Sequence, residues 1–296
     1  MVARRIRYSA LAGAAVLAAG TGAAFLTPGN ATAAPAAPAE VGPATVYVAH
    51  SDTDGLDSQV IYESVEGQRN VVTVTLENAD DKTRFRYTIF DDVEIKPGYG
   101  CSHPDAASLT HVVCTIDNFE ATETGPYPSL VMNLGDQNDV VRFANLAGAD
   151  IYNGFSLGAG NDTFMTNQTN TFDGSSVWGE WGNDSITTRA GSMVDAGEGN
   201  DTVHALGRKA FATGGKGHDT LYGGAGSQEL VGWTGNDVIR GGAGADVIQG
   251  DKGNDTLYGG AGADVVRGNS GNDRLFGGPG KDKLIGGPGR DVIRQS

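Results

Sequence analysis

Nine contiguous nine-residue blocks, with no insertion between them, fill the chain from Gly214 to Arg294: GGKGHDTLY, GGAGSQELV, GWTGNDVIR, GGAGADVIQ, GDKGNDTLY, GGAGADVVR, GNSGNDRLF, GGPGKDKLI and GGPGRDVIR. Positions one and four are glycine in every block. Position six is aspartate in all but one, where Gln228 stands, and position eight is aliphatic throughout, from Leu221 to Ile293. A short period held in phase over this length belongs to repeat architectures, where each unit buries its apolar face only against its neighbours. A disordered glycine spacer has no use for an aliphatic side chain in every block, so the phase argues for folded coils. Yet one aliphatic per block makes a thin core, and glycine loses the most backbone freedom on ordering. Such coils need something besides apolar burial to hold them.

The blocks resemble the G-G-x-G-x-D-x-U-x nonapeptide of RTX, or haemolysin-type, calcium-binding repeats. That resemblance implies an all-β fold, a parallel β-roll in which one block makes a tight turn and a short strand and two blocks complete a coil. Sixth-position residues then stack every second block into two columns. One runs Asp201, Asp219, Asp237, Asp255, Asp273, Asp291; the other runs Gln228, Asp246, Asp264, Asp282. Coils stacked about 4.8 Å apart bring these carboxylates together, and they repel unless a cation lies between them. Ca2+ suits the gap, because it takes several oxygens and accepts carboxylates mixed with backbone carbonyls, here those of turn residues such as Gly235, Gly244, Gly253, Gly262, Gly271 and Gly280. Filling the gaps between successive aspartates calls for about seven calcium ions, and folding of the repeats should be coupled to the metal. Gln228 lacks a carboxylate, so its gap to Asp246 is expected to be weak or empty. Glycines at positions one, two and four are expected to supply positive φ and close backbone approach. Trp233, Asp251 and Asn269 replace the second glycine, so that position must tolerate a side chain.

Upstream, over 131–213, the pattern loosens. LGAGNDTFM (157–165), GEWGNDSIT (179–187) and AGEGNDTVH (196–204) keep the glycine-then-aspartate core, while LGDQNDVVR (134–142) and LAGADIY (146–152) keep less of it. Their aspartates are unevenly spaced, which reads as wider coils of the same solenoid, with Asp162 and Asp184 as weaker metal ligands. Residues 44–130 differ again. ATVYVAH, SQVIYESV, NVVTVTLE, TRFRYTIF, DDVEI and THVVCTI are β-branched and aromatic runs separated by turn residues. Antiparallel strands are expected here, capping the first coil, because a bare solenoid end invites association. The first 33 residues combine Arg4, Arg5 and Arg7 with an apolar run from Ala10 to Leu26 and the A-x-A site Ala31-Thr32-Ala33. This reads as a secretory signal peptide, by the general or twin-arginine route, followed by a linker over 34–43. The apolar run is too short and alanine-rich for stable membrane insertion. In an exported chain the two cysteines, Cys101 and Cys114, are expected to form a disulfide; a metal pair with His103 and His111, or a catalytic thiol, are the competing readings.

The formal net charge is -15, and it is unevenly spread: residues 34–213 carry 26 acidic against 9 basic side chains, whereas 214–296 carry 10 against 9. An acidic surface disfavours nucleic acid and anionic membranes and favours cations. No H-E-x-x-H, G-x-S-x-G elbow or phosphate-binding G-x-x-x-x-G-K-[ST] is present, so no catalytic role is expected. HSDTDGLD (50–57) and NADDK (78–82) offer paired carboxylates for an extra cation or for solvated loops. His218, beside Asp219, reads as a turn substituent. Position nine points outward and aligns Tyr222, Arg240, Tyr258, Phe276 and Arg294 on one face, a surface for extracellular or cell-wall polysaccharide or simply a shield for a glycine-rich sheet. The expectation is a secreted calcium-binding protein, with an adhesin or polysaccharide-binding module as the alternative.

Overall fold

The computed structural model describes residues 41–50, 58–79, 84–117, 130–147, 151–166 and 174–295. The signal peptide, most of the linker, and the acidic residues of 51–57 and 80–82 lie outside the described residues. Within them there are 25 strands and no helix, hence none long and apolar enough to cross a membrane. The first nine strands are β1 (Ala44–His50), β2 (Ser58–Glu63), β3 (Val71–Asn78), β4 (Arg84–Phe90), β5 (Ile95–Pro97), β6 (Cys101–Ser102), β7 (His111–Asp117), β8 (Leu130–Asn133) and β9 (Val140–Asn145).

The strands form two sheets whose rungs alternate along the chain. In one, β2 pairs in parallel with β8, then come Asn153–Ser156, Ser175–Trp178, Met193–Glu198, Phe211–Lys216, Glu229–Thr234, Val247–Lys252, Val265–Ser270 and Lys283–Ile285. In the other, β3 pairs in parallel with β9 and the series ends at Val292–Arg294. This is the parallel β-solenoid that the nine-residue phase implies, and it continues without a break through the irregular coils. Alternation within each short strand sends the eighth-position aliphatic inward. Leu221, Ile239, Leu257 and Leu275 stack as one fully buried column, and Leu230, Ile248 and Val266 as its partner.

The amino-terminal region does more than cap. β2 and β3 are themselves the first coil, and the remaining strands extend both of its sheets: β1 pairs antiparallel with β2 and β5 in parallel with β1, while β4, β7 and β6 follow β3 antiparallel. The edges of β2 and β3 are thereby covered, and the sheets end instead on the short strands β5 and β6. The DDVEI run yields a strand only from Ile95, because Asp91 and Asp92 are used in hydrogen bonds to the Val71 backbone. Cys101 and Cys114 face each other across β6 and β7 and are joined in a disulfide.

Each coil has two turns, hence the solenoid has two edges. On the first edge the chain passes from a rung of the β2 sheet to one of the β3 sheet, and Asn153 to Asp162, Ser175 to Asp184 and Ser192 to Asp201 each take the same nine-residue step. The irregular spacing of the coils over 131–213 falls on the second edge.

Candidate metal centre

The first edge carries one unbroken carboxylate ladder. The backbone N–H of each aspartate donates to Oδ1 of the aspartate one coil further on, from Asp139 through Asp162, Asp184, Asp201, Asp219, Asp237, Asp255 and Asp273 to Asp291, at 2.7–3.0 Å. Asp162 and Asp184 therefore hold the same place as the repeat aspartates, and Asp139, which sequence spacing did not single out, joins them. Sheet pairing restores a register that the uneven second-edge turns conceal. The second edge has a shorter ladder: Gln228 donates to Asp246, Asp246 to Asp264 and Asp264 to Asp282. Upstream of Gln228 its register positions hold Ala210, Ser192, Ser175 and Asn153, none of them acidic.

The other oxygen of each carboxylate is the telling one. Oδ2 of Asp139, Asp162, Asp184, Asp201, Asp219, Asp237, Asp246, Asp255, Asp264 and Asp273 is buried without a hydrogen-bond partner, and these residues are at most 2% exposed. A buried anionic oxygen without a partner is costly, and repeating it coil after coil points to a missing cationic partner. A carbonyl converges on the same spot. A Cβ built on Gly259 would lie 2.6 Å from Asp264 Oδ2 and 2.6 Å from the Gly277 carbonyl oxygen; Gly241, Gly232 and Gly268 stand in the same relation to their own aspartates and the next coil. The first glycine of each block is thus required for space. Its φ is not in the left-handed region, which corrects the expectation that position one supplies positive φ.

Position four meets both demands. Gly217, Gly235, Gly253 and Gly271 have φ from 140° to 147°, and a Cβ on Gly235, Gly253 or Gly271 would overlap the carbonyl oxygen of its counterpart one coil earlier. Stacked carbonyls occupy the room a side chain would take. At position two, Glu180, Trp233, Asp251 and Asn269 do take side chains, at φ of 68° to 79°, where only glycine is unstrained. Position five adds a second ladder outside the first. The backbone N–H of Asn161, Asn183, Asn200, His218, Asn254, Asn272 and Arg290 donates to an asparagine Oδ1 one coil earlier. His218 keeps the ladder intact, because its Nδ1 accepts from the Asn236 N–H at 2.8 Å.

Burial, reinforced in most of these by the neighbouring carboxylate, pushes the carboxyl groups of Asp139, Asp184, Asp201 and Asp237 up to about 7. Asp162, Asp219, Asp246 and Asp255 rise to about 6, chiefly through burial. The backbone N–H to Oδ1 pulls each of them part of the way back. Among the described residues, no three acidic, histidine or cysteine side chains converge on one point. The donor set is one carboxylate per coil together with turn carbonyls, hard oxygens that fit Ca2+ far better than zinc or copper.

The model of the RTX calcium-binding nonapeptide repeat, in four copies, matches three overlapping stretches, residues 211–237, 232–266 and 258–293. Residues 211–293 are RTX calcium-binding nonapeptide repeats. These RTX repeats contain Asp219 to Asp291 of the long ladder and all of the short one. Asp139, Asp162, Asp184 and Asp201 lie upstream of the match and share its ladder hydrogen bonds, with Leu134, Leu157 and Ala196 in place of the first glycine at Asp139, Asp162 and Asp201. No curated protein matches the chain.

The remaining candidates fall away from this centre. The disulfide uses both cysteine sulfurs, so neither a thiol nor a metal pair with His103 and His111 remains. His103 Nδ1 instead contacts the His111 carbonyl at 2.8 Å, and the His111 ring stacks on Phe90. On the outer face of the β3 sheet the ninth-position side chains form a continuous stack. His204 lies on Tyr222, Arg240 sits between Tyr222 and Tyr258, Tyr258 lies on Phe276, and Arg294 covers Phe276. His204 is its first member, eighteen residues before Tyr222 and in register with it.

Proposed function

We propose that this chain is an exported, non-catalytic calcium-binding protein in which stacked Ca2+ ions order the roll. The observation that carries this reading is the row of buried, partnerless Oδ2 atoms, of which those of Asp184, Asp237, Asp246, Asp264 and Asp273 face a carbonyl of the next coil across a glycine. Bound there, calcium supplies positive charge and accepts several hard oxygens. The aspartates hold their carboxylates toward it through the Oδ1 hydrogen bonds, and the glycines keep the space clear. The upstream aspartates Asp139, Asp162, Asp184 and Asp201 extend the ion row beyond the RTX repeats on the first edge alone. With eight ladder steps on that edge and two between aspartates on the second, the chain has room for more ions than the seven expected from strict repeats. An N-terminal export signal and extracellular sites of modest affinity, on the order of 10⁻⁴ to 10⁻³ M, agree in sense: sites empty in a cytoplasm fill outside.

Far-UV circular dichroism of the chain from Ala34 onward, titrated with calcium against a chelator, tests the reading. The β signal should grow with calcium. A metal-free spectrum equal to the calcium-loaded one overturns it.

A second reading is polysaccharide binding on the outer face of the β3 sheet, supported by the run of aromatic and arginine side chains there. Their ring faces are engaged with one another, so a glycan would meet ring edges and guanidinium groups. The double substitution Tyr222→Ala and Tyr258→Ala should weaken cell-wall or glycan binding if this reading is right, and leave it unchanged if the stack only shields the sheet.

A further inference from the structure

Both carboxylate ladders begin at an amide, and the two amides are unlike the aspartates that follow them. Gln228, 3% exposed, heads the second-edge ladder. Its Oε1 takes the place beside Gly223 that Asp Oδ2 takes beside Gly241 or Gly259. Unlike those oxygens it has a partner, the Gly224 N–H at 3.4 Å. Its Nε2 donates to the Gly207 carbonyl at 3.0 Å and to the Ala225 carbonyl at 3.4 Å. Gly207 belongs to the preceding coil and Ala225 to Gln228's own, so one NH2 group bridges turn carbonyls of two successive coils. Asn70 heads the first-edge ladder and is fully buried. Its Nδ2 donates to the Gln68 carbonyl at 3.1 Å and to Asp139 Oδ1 at 3.3 Å, and its Oδ1 accepts from Tyr62 Oη at 3.2 Å. At the far end of the short ladder, Gln295 Nε2 donates to Asp282 Oδ2 at 2.9 Å.

We propose that Asn70 and Gln228 are built-in cation substitutes that fix where the ion rows start: an amide N–H2 makes the bridging contacts that Ca2+ makes in the following coils, so the turn each occupies needs no metal. The chemistry is direct. An amide carries both an acceptor, which replaces the carboxylate oxygen, and two donors, which replace the positive charge facing the carbonyls. A carboxylate in the same place has only acceptors and leaves the carbonyls facing it unpaired until a cation arrives. On this account Gln228 marks the coil at which the second edge changes from self-sufficient to calcium-dependent. The gap above it is closed to the ion by occupation, beyond its mere lack of a ligand.

This inference rests on the calcium reading above, and its test separates the two. Calcium stoichiometry of the chain from Ala34 onward is measured by native mass spectrometry and isothermal titration, for the unaltered protein, Gln228→Asp and Asp246→Asn. Gln228→Asp should bind one calcium more than the unaltered protein, melt lower in chelator and recover in calcium. Asp246→Asn should bind fewer and melt higher in chelator. If the unaltered chain binds no calcium, the functional reading fails first. If it binds calcium and Gln228→Asp binds the same number, or stays unfolded at saturating calcium, the substitute role of Gln228 is overturned. Asn70→Asp provides the same comparison on the other edge, where a gain of one ion supports the proposal and an unchanged count with a folded spectrum contradicts it.

Discussion

At the scale of the residue, the three glycines of a block do different work, and substitution should separate them. Position four combines positive φ with a stacked carbonyl where Cβ would go, so Gly253→Ala forces the coils apart and is expected to cost the calcium-loaded roll about 3 kcal/mol or more. On the first edge position two takes side chains; Asn269 and Asp251 already occupy it, at φ of 68° and 73°, and the Asn269 amide donates to Asp251 Oδ1 at 2.6 Å. Thermal melts of Gly253→Ala and Asp251→Asn should therefore differ sharply, and equal losses would remove the stacked-carbonyl argument. His218 makes a finer point. Its side chain serves the position-five ladder as an acceptor through Nδ1, so His218→Asn should melt within about 0.5 kcal/mol of the original, while His218→Ala leaves the Asn236 N–H without its partner and costs about 1 kcal/mol.

At the scale of the element, Asp139 to Asp273 on the first edge and Asp246 and Asp264 on the second are carboxyl groups held above their ordinary pKa of 3.8 by burial. In the metal-free protein the folded state holds protons that the unfolded chain releases between about pH 4 and about pH 7. Stability from these groups is therefore complete below the unfolded value and is lost as pH rises through the folded one. The metal-free roll should melt higher at pH 5 than at pH 7.5, and saturating calcium should shrink or reverse that difference, because the ion takes the place of the proton; a metal-free melting point that rises with pH contradicts this. These rows also show what sequence reading could reach. The phase of glycine, Asp219 to Asp291 and the eighth-position aliphatics spelled out the roll and both columns, since strict repeats make sequence spacing and spatial stacking the same thing. Asp139, Asp162 and Asp184 were harder, because second-edge turns of unequal length separate neighbours in space by unequal stretches of chain. Only strand pairing, Asn153 with Ser175 and Ser176 with Met193, recovers their register. Gln228 read as a missing ligand; that its amide reaches back to Gly207 depends on a side-chain path no spacing encodes.

At the scale of the molecule, the solenoid is built from unequal halves. Its amino-terminal coils enclose Tyr62, Tyr87, Phe143, Phe155 and Phe164, all fully buried, with Phe155 lying 5.2 Å from Phe143 and 4.7 Å from Phe164. Antiparallel strands and a disulfide close that end. Toward the carboxyl terminus each strand contributes a single Leu, Ile or Val, and in the last described coil Ile293 is 48% exposed. Large aromatic side chains each bury far more apolar area than one aliphatic, and the ordering cost per coil is nearly the same along the roll. Metal dependence should therefore rise from one end to the other. The first coils have enough core to stand in chelator, whereas the RTX repeats depend on their ions. In a nearest-neighbour solenoid this gives stepwise order, with folding spreading from the capped end. Hydrogen exchange in chelator should find amides of β3, β4 and β9 protected while those of 247–294 exchange freely, and added calcium should extend protection toward Arg294. Uniform protection along the chain in chelator, or uniform loss of it, would show that the roll behaves as one cooperative unit and that its core gradient has no energetic consequence.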